Sequence, residues 1–103
     1  MRLSTDQTSE LADMFRLLGD ASRLRILLAC LAEAKPVGDI AQSVGLSASL
    51  VSHHLRLLRA ARLVRARRSG RHVVYSAADQ HISQVIEDMA EHIAEPVSEG
   101  EIE

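Results

Sequence analysis

The sequence is poor in aromatic residues and in cysteine. Of its 103 residues none is tryptophan, and Phe15 and Tyr75 are the only aromatic side chains. The core must therefore consist of aliphatic side chains, which we expect to pack between helices. Cys30 is the only cysteine, which excludes an internal disulfide and any multi-cysteine metal site within one chain.

The sequence also lacks long apolar stretches. No run reaches the length needed to span a membrane, and no basic-then-apolar leader stands at its start. We therefore expect a cytoplasmic protein without a membrane partner. A single domain of this size buries a modest fraction of its surface, so dimerisation would add useful apolar burial.

Acidic residues are absent from a long internal segment. Residues 40–78 contain seven arginines and no aspartate or glutamate, whereas residues 79–103 contain eight acids and no lysine or arginine. An ordinary solvated surface mixes charges of both signs. The segregation predicts two different partners, a polyanion for the middle of the chain and a cation for its end.

Apolar spacing predicts four helices in the first 60 residues. We place them at Thr5–Leu18, about 20–34, Val37–Val44, and from Ser47 onward. Gly45-Leu46-Ser47 separates the last two in a helix-turn-helix pattern. The apolar face of the fourth helix is predicted to carry Leu50, Val51, Leu55 and Leu58.

A β-hairpin is predicted to follow the fourth helix, with strands at Leu63–Arg67 and His72–Ser76 and a turn at Ser69-Gly70. A last helix carries Asp79 through Glu95 and ends at Pro96. The fold class is thus mainly α with a small hairpin, a winged helix-turn-helix whose fourth helix is the recognition helix. We assign residues 1–96 to this domain and residues 97–103 to an acidic, disordered tail.

The acid-free segment supplies the predicted DNA contacts. Short hydroxyl side chains allow the recognition helix to approach the major groove closely, and arginine holds a phosphate or a guanine. Ser47 also has a simpler explanation as a helix cap. His53 and the adjacent His54 diverge by about 100° on a helix, which makes them poor joint metal ligands. The predicted contacts are Ser47, Ser49, Ser52, His53 and Arg56 in the helix, and Arg67, Arg68, Arg71 and His72 in the wing.

Four metal-binding side chains occur on the last helix: Asp79, His81, His92 and Glu95. The two histidines are about 16 Å apart at roughly 1.5 Å per residue, too far for one ion. The spacing makes sense if a second copy of the helix runs antiparallel, and an apolar stripe of Ile82, Val85, Met89 and Ile93 suits that contact. Imidazole and carboxylate donors favour zinc; cobalt is a second candidate and nickel is less favoured. The alternative is that all four are ordinary surface groups.

Three segments resemble the ArsR/SmtB family of bacterial metal-responsive repressors: LLGDASRLRIL at residues 17–27, SHHLRLL at 52–58 and GRHVVY at 70–75. The resemblance implies a winged-helix homodimer that binds double-stranded operator DNA, an imperfect palindrome, until an inducer weakens the complex. Thiolate-type sensors of the family carry Cys-x-Cys where this chain has Pro36-Val37-Gly38. The donors on the last helix look like those of the family's zinc sensors.

The resemblance also implies how metal and DNA sites communicate. A histidine at the position of His92 donates its second ring N–H to the backbone carbonyl at the position of Arg62, just after the recognition helix.

Two other functions are considered beside a zinc-responsive repressor. One is a repressor that responds to oxidation of Cys30, or to no small molecule, although a buried apolar role for Cys30 is the simpler interpretation. The other is a winged-helix adaptor that binds an acidic protein. We expect no enzymatic activity, since no nucleophile–base arrangement is found and four protein ligands leave no open metal position.

Overall fold

The computed structural model describes residues 1–97 and residue 100 of the chain. The helices are α1 (Thr5–Leu18), α2 (Ala21–Ala32), α3 (Val37–Val44), α4 (Ala48–Ala60) and α5 (Gln80–Ala94). The strands are β1 (Lys35–Pro36), β2 (Val64–Ser69) and β3 (His72–Ala77). This order confirms the predicted winged helix-turn-helix. Most of the predicted acidic tail lies outside the described residues.

Side-chain caps fix where four of the helices begin. Ser4 and Gln7 form a reciprocal capping box at α1, with N–O distances of 2.9 and 3.0 Å. At the other three helices a side-chain oxygen accepts a hydrogen bond from the backbone N–H three residues later. The residues that accept are Asp20, Ser47 and Asp79, at 2.9, 3.1 and 3.1 Å.

The hairpin is longer and its turn tighter than predicted. Strands β2 and β3 pair antiparallel from Val64 opposite Ala77 to Ser69 opposite His72. The turn is therefore Gly70-Arg71 rather than Ser69-Gly70. Gly70 has φ of +62°, and glycine allows the positive φ that a two-residue hairpin turn requires.

The sheet has a third, unpredicted strand. Lys35 pairs with Tyr75 and Pro36 with Val74, so that β1 lies on the free edge of β3. Two residues that include a proline give no strand signal of their own. This strand exists because α2 and α3 hold the connection beside the hairpin.

The core lies between α2, α3, α4 and the base of the hairpin. One prediction about its lining is wrong: Leu50 is 40% exposed, and His54, only 7% exposed, occupies the buried face of α4 instead. The residues that are fully or almost fully buried are Ile26, Leu27, Cys30, Ile40, Val51, Leu55, Leu58, Leu63 and Val64.

Helices α1 and α5 contain no buried residue within the described chain. Their apolar side chains instead line a groove of about 390 Å³, together with Leu28 of α2. Of the predicted apolar stripe on α5, Ile82 packs against the core, whereas Val85, Met89 and Ile93 are 47, 49 and 81% exposed. None of the described helices combines the length and the apolarity that crossing a membrane requires.

Cys30 is buried in α2 with 2% of its surface exposed. Burial raises the pKa of its thiol to about 11, although Lys35 acts weakly in the opposite direction. A thiol with this pKa is almost entirely protonated at neutral pH, and the thiolate is the reactive form. The structure therefore favours a packing role for Cys30 over a redox role.

We predict that the Cys30 thiol of the native protein reacts slowly with a thiol-specific reagent. In guanidinium chloride the same thiol should react at least tenfold faster at pH 8, because unfolding returns its pKa to about 8.5. The measurement is the rate of absorbance change with a chromogenic disulfide. Equal rates in the native and unfolded states would show that the thiol is accessible and would revive the redox role.

Candidate DNA-binding and metal-binding sites

Helix α4 turns a polar face away from the core. Val51, Leu55 and Leu58 are buried on one side, and at about 100° per residue the opposite side centres on Ser49, His53 and Arg56. These three predicted DNA contacts are exposed, and Ser52 lies half-buried at the edge of the same face.

Ser47 precedes this face as the N-cap of α4. Its hydroxyl oxygen accepts the backbone N–H of Leu50 at 3.1 Å, so the oxygen is committed to the cap. The hydroxyl proton is still free to be donated to a phosphate. The structure thus shows Ser47 as a helix cap, and this role leaves the hydroxyl proton available for the predicted DNA contact.

The wing extends the basic surface beyond α4. Arg67, Arg68, Arg71 and His72 are all exposed on the tip of the hairpin. Because neighbouring strand residues point to opposite faces, Arg67 and Arg68 give the tip positive charge on both sides. Arg65, nearer the base, donates through Nε to the Ser76 hydroxyl at 3.3 Å.

The four metal-binding candidates lie in two pairs at the two ends of α5. Asp79 is the N-cap, and its Oδ1 lies 3.5 Å from Nδ1 of His81. His92 lies in the last turn and Glu95 is the C-cap. Among the described residues, no three potential ligands come together within one chain.

The pair at the start of α5 suits a cation. The Ile82 N–H, which donates to Asp79, lowers the pKa of this carboxyl group, and His81 lowers it further. Asp79 is therefore ionised at neutral pH. The His81 side chain is 93% exposed, so its ring can move without disturbing other contacts.

Arg62 connects the end of the recognition helix to α1. It directly follows the α4 C-cap with φ of +61°, unusual for a residue other than glycine. Its guanidinium forms an ion pair with Glu10 of α1, which sequence patterns did not reveal because 52 residues separate the two. Arg62 and Asp79 line the same cleft of about 500 Å³.

The structure does not bring His92 to Arg62 within one chain. Arg62 lies beside the N-terminus of α5, whereas His92 is at its C-terminus, 13 residues after Asp79 and roughly 20 Å away at 1.5 Å per residue. A hydrogen bond between them requires a second copy that runs antiparallel.

A polar bridge behind α4 was not predicted. Arg23 donates from Nε to Nδ1 of His54 at 3.2 Å and from Nη1 to the Leu17 carbonyl at 3.1 Å. The helical phase of α4 gives a signal for it, since position 54 falls on the same face as Val51 and Leu58.

Comparison with known proteins places this chain in a family. The family model described as "Bacterial regulatory protein, arsR family" matches residues 20–66, from the start of α2 into β2. A "Transcriptional repressor SmtB homolog" of Synechocystis sp. is 43% identical over 93 residues, which are 90% of this chain and 70% of that protein.

Two solved structures support the same assignment. The cadmium metal-sensor CMTR of Mycobacterium tuberculosis has a TM-score of 0.71 and 34% identity, covering 90% of this chain and 96% of that one. NolR of Sinorhizobium fredii has a TM-score of 0.77 and 29% identity, covering 93% and 99%. The relatives are regulators and not enzymes, as predicted. The chain belongs to the arsR family of bacterial regulatory proteins.

Proposed function

We propose that this chain is a zinc-responsive transcriptional repressor. It binds operator DNA as a metal-free homodimer, and zinc held by Asp79, His81, His92 and Glu95 lowers its affinity for DNA. The observation that carries this proposal is the arrangement of α5, whose two donor pairs lie at opposite ends beside an exposed apolar face.

A second copy of the chain is the occupant that suits this face. In a two-fold symmetric contact the same patch meets itself in the opposite direction. Antiparallel α5 helices then bring the Asp79–His81 end of one copy to the His92–Glu95 end of the other. The same contact covers Phe15, Val85 and Met89, each of which is about half exposed in the single chain.

The charge of α5 supports a cation at its C-terminal end. Glu91 and Glu95 are both exposed there, at the end of the helix that carries partial negative charge. Like charges at a helix C-terminus are unfavourable, and a bound divalent ion would compensate for them. Zinc supplies this charge and joins the two copies when bound.

The donor chemistry favours zinc over softer ions and over ions that need a higher coordination number. Two imidazoles and two carboxylates complete a tetrahedral set, and an octahedral ion would need further ligands. The related CMTR protein is described as a cadmium sensor, but soft ions prefer thiolates and the only thiol here is buried Cys30. Cobalt, which accepts the same donors, is the second candidate.

Arg62 connects the proposed metal site with the DNA-binding face. No hydrogen bond to its carbonyl oxygen occurs within the described residues, which leaves this oxygen for the ring N–H of His92 from a second copy. The Glu10 ion pair already holds Arg62 to α1. A shift at the joint between copies would thus move the end of the recognition helix directly.

Charge and exposure support DNA as the other partner. The exposed arginines of α4 and the wing lie on a part of the chain without acids, as phosphate binding requires. A symmetric dimer would place its two α4 helices on successive major grooves and read a palindrome.

The first prediction from the proposed function concerns zinc-dependent release of DNA. Fluorescence anisotropy with DNA from upstream of the protein's own gene should show tight binding in the presence of a chelator. With zinc the affinity for this DNA should be lower by roughly tenfold or more, within the usual range of allosteric coupling. The His81→Ala/His92→Ala variant should bind equally well in both conditions. Glu87→Ala, which removes an exposed acid of α5 outside the donor set, should respond to zinc like the wild type.

Retention of the zinc response in the double variant would exclude these histidines as ligands. Loss of the response in Glu87→Ala as well would mean that the overall charge of α5, and not the donor set, determines release.

The second prediction tests whether the site is shared between copies. Asp79→Ser/His81→Ala removes one donor pair and keeps a serine cap on α5, and His92→Ala/Glu95→Ala removes the other. Each variant alone should bind no zinc tightly. A mixed dimer of the two variants regenerates one complete site of two, so it should bind zinc at half the wild-type stoichiometry by isothermal calorimetry.

Absence of zinc binding by the mixed dimer would show that the donors of one copy do not meet those of the other. Tight binding by either variant alone would show that one end of α5 suffices.

A further inference from the structure

Within the described chain His54 is the only buried polar or charged side chain. It lies on recognition helix α4, between exposed His53 and buried Leu55, where an aliphatic residue would satisfy the packing. Burying a polar group is unfavourable unless it is hydrogen-bonded. We therefore attribute the imidazole at this position to its hydrogen bond with Arg23 of α2. This hydrogen bond joins α4 to the other helices.

Arg23 makes this connection through a single guanidinium. Its Nε donates to His54 Nδ1 at 3.2 Å and its Nη1 donates to the Leu17 carbonyl at 3.1 Å. Leu17 belongs to the last turn of α1, and Arg23 to the first turn of α2. The bridge thus fixes α4 relative to α1, a helix whose apolar side chains remain exposed in the single chain.

The bridge depends on a neutral imidazole. Nδ1 accepts a hydrogen bond from the Nε–H of Arg23, so the neutral ring carries its own proton on Nε2. Protonation at Nδ1 converts the acceptor into a donor and sets a positive charge directly against the guanidinium. The bond then breaks and the two groups repel each other.

We propose that Arg23 and His54 form a positioning pair that holds α4 in its DNA-binding orientation, and that protonation of His54 releases it. This inference rests on the proposed function, since it assumes that α4 reads DNA. It adds a second input, acid, which acts on the recognition helix at a place distant from the α5 donors.

The charged surroundings of His54 give the direction of the effect. Burial lowers its pKa most, and Arg23 of α2 and His53 of α4 lower it further, whereas Asp20 at the α2 N-cap raises it. The net pKa lies below the ordinary value near 6.5. The unfolded chain then binds the proton more readily, so the stability from the pair is complete above about pH 6.5 and is lost as pH falls.

The test measures metal-free binding to operator DNA at pH 7.5 and 5.5. His54→Asn keeps an acceptor near the Nδ1 position but does not titrate, whereas His54→Leu fills the space without an acceptor. At pH 7.5, His54→Asn should bind within about threefold of wild type. His54→Leu and Arg23→Met should each bind roughly tenfold more weakly, the usual loss for a hydrogen bond to a charged group.

Two comparisons make the test specific. The Arg23→Met/His54→Leu double variant should bind no more weakly than Arg23→Met alone, because Arg23→Met already removes the bond to His54 together with the bond to Leu17. Between pH 7.5 and 5.5 the wild type should lose roughly tenfold relative to His54→Asn. Protonation of the histidines on the wing and on α5 affects both proteins alike and cancels in this ratio.

A constant ratio at the two pH values, or additive losses in the double variant, would overturn the proposal. Absence of DNA binding by the wild type at both pH values would instead refute the proposed function. In that case urea unfolding tests the Arg23–His54 pair independently of DNA. The free energy of unfolding of the wild type should fall relative to that of His54→Asn as pH falls, and parallel pH profiles would contradict a stabilising role of the pair.

Discussion

The exposed apolar faces of α1 and α5 are the constraint on which the rest of the structure depends. Neither helix buries a residue, yet both carry Leu, Met, Phe, Val or Ile at helical spacing. Burial of apolar surface stabilises a fold by roughly 25 cal/mol per Å². A chain of 103 residues has a small core, which does little to offset the stabilisation lost when these faces stay in water. The core of α2, α3, α4 and the hairpin forms within one chain, whereas in the proposed dimer α1 and α5 form a second core between copies. In the proposed dimer, the orientation of each α4 relative to its counterpart depends on this second, smaller core.

The proposed metal donors and the proposed DNA contacts are close in sequence although they are assigned to different partners. Asp79 follows β3 after a single residue, and the Ala78 N–H donates to the Leu63 carbonyl at 3.1 Å. This hydrogen bond ties the start of α5 to Leu63, in the short connection between α4 and β2. Arg62 lies at the same junction, with its side chain on Glu10 of α1. One short segment, residues 62–64, thus contacts α1, the start of α5 and the wing. In the proposed dimer, a change in how the two copies pack would therefore reach this segment before more distant parts of the fold.

The sequence predicts elements with strong local signals and fails where contacts between distant residues decide. The limits of α1 follow from its Ser4 cap and its apolar spacing, and those of α3 from its apolar spacing and Gly45; the structure places both helices where the pattern does. Strand β1 has no local signal, because Lys35-Pro36 becomes a strand only through β3. Leu50 illustrates a different failure: it is apolar and near the buried stripe, but the space behind α4 is filled by His54, whose partner Arg23 lies 31 residues away. The donor pairs of α5 are readable from spacing, whereas their meeting depends on a second copy.

The polar bridge and the apolar faces act on α4 in physically different ways. Apolar contact is non-directional, so it tolerates small rotations of one copy against the other at little cost. The bond from Arg23 to His54 is directional, and it fails when the geometry or the proton changes. A recognition helix supported by aliphatic contacts alone would be free to adjust its angle. A helix that is also held at one point by a guanidinium has a defined angle, and loses it when that bond is lost. An imidazole at this point therefore fixes the orientation of the helix, and its protonation releases that orientation. A leucine in the same space would do neither.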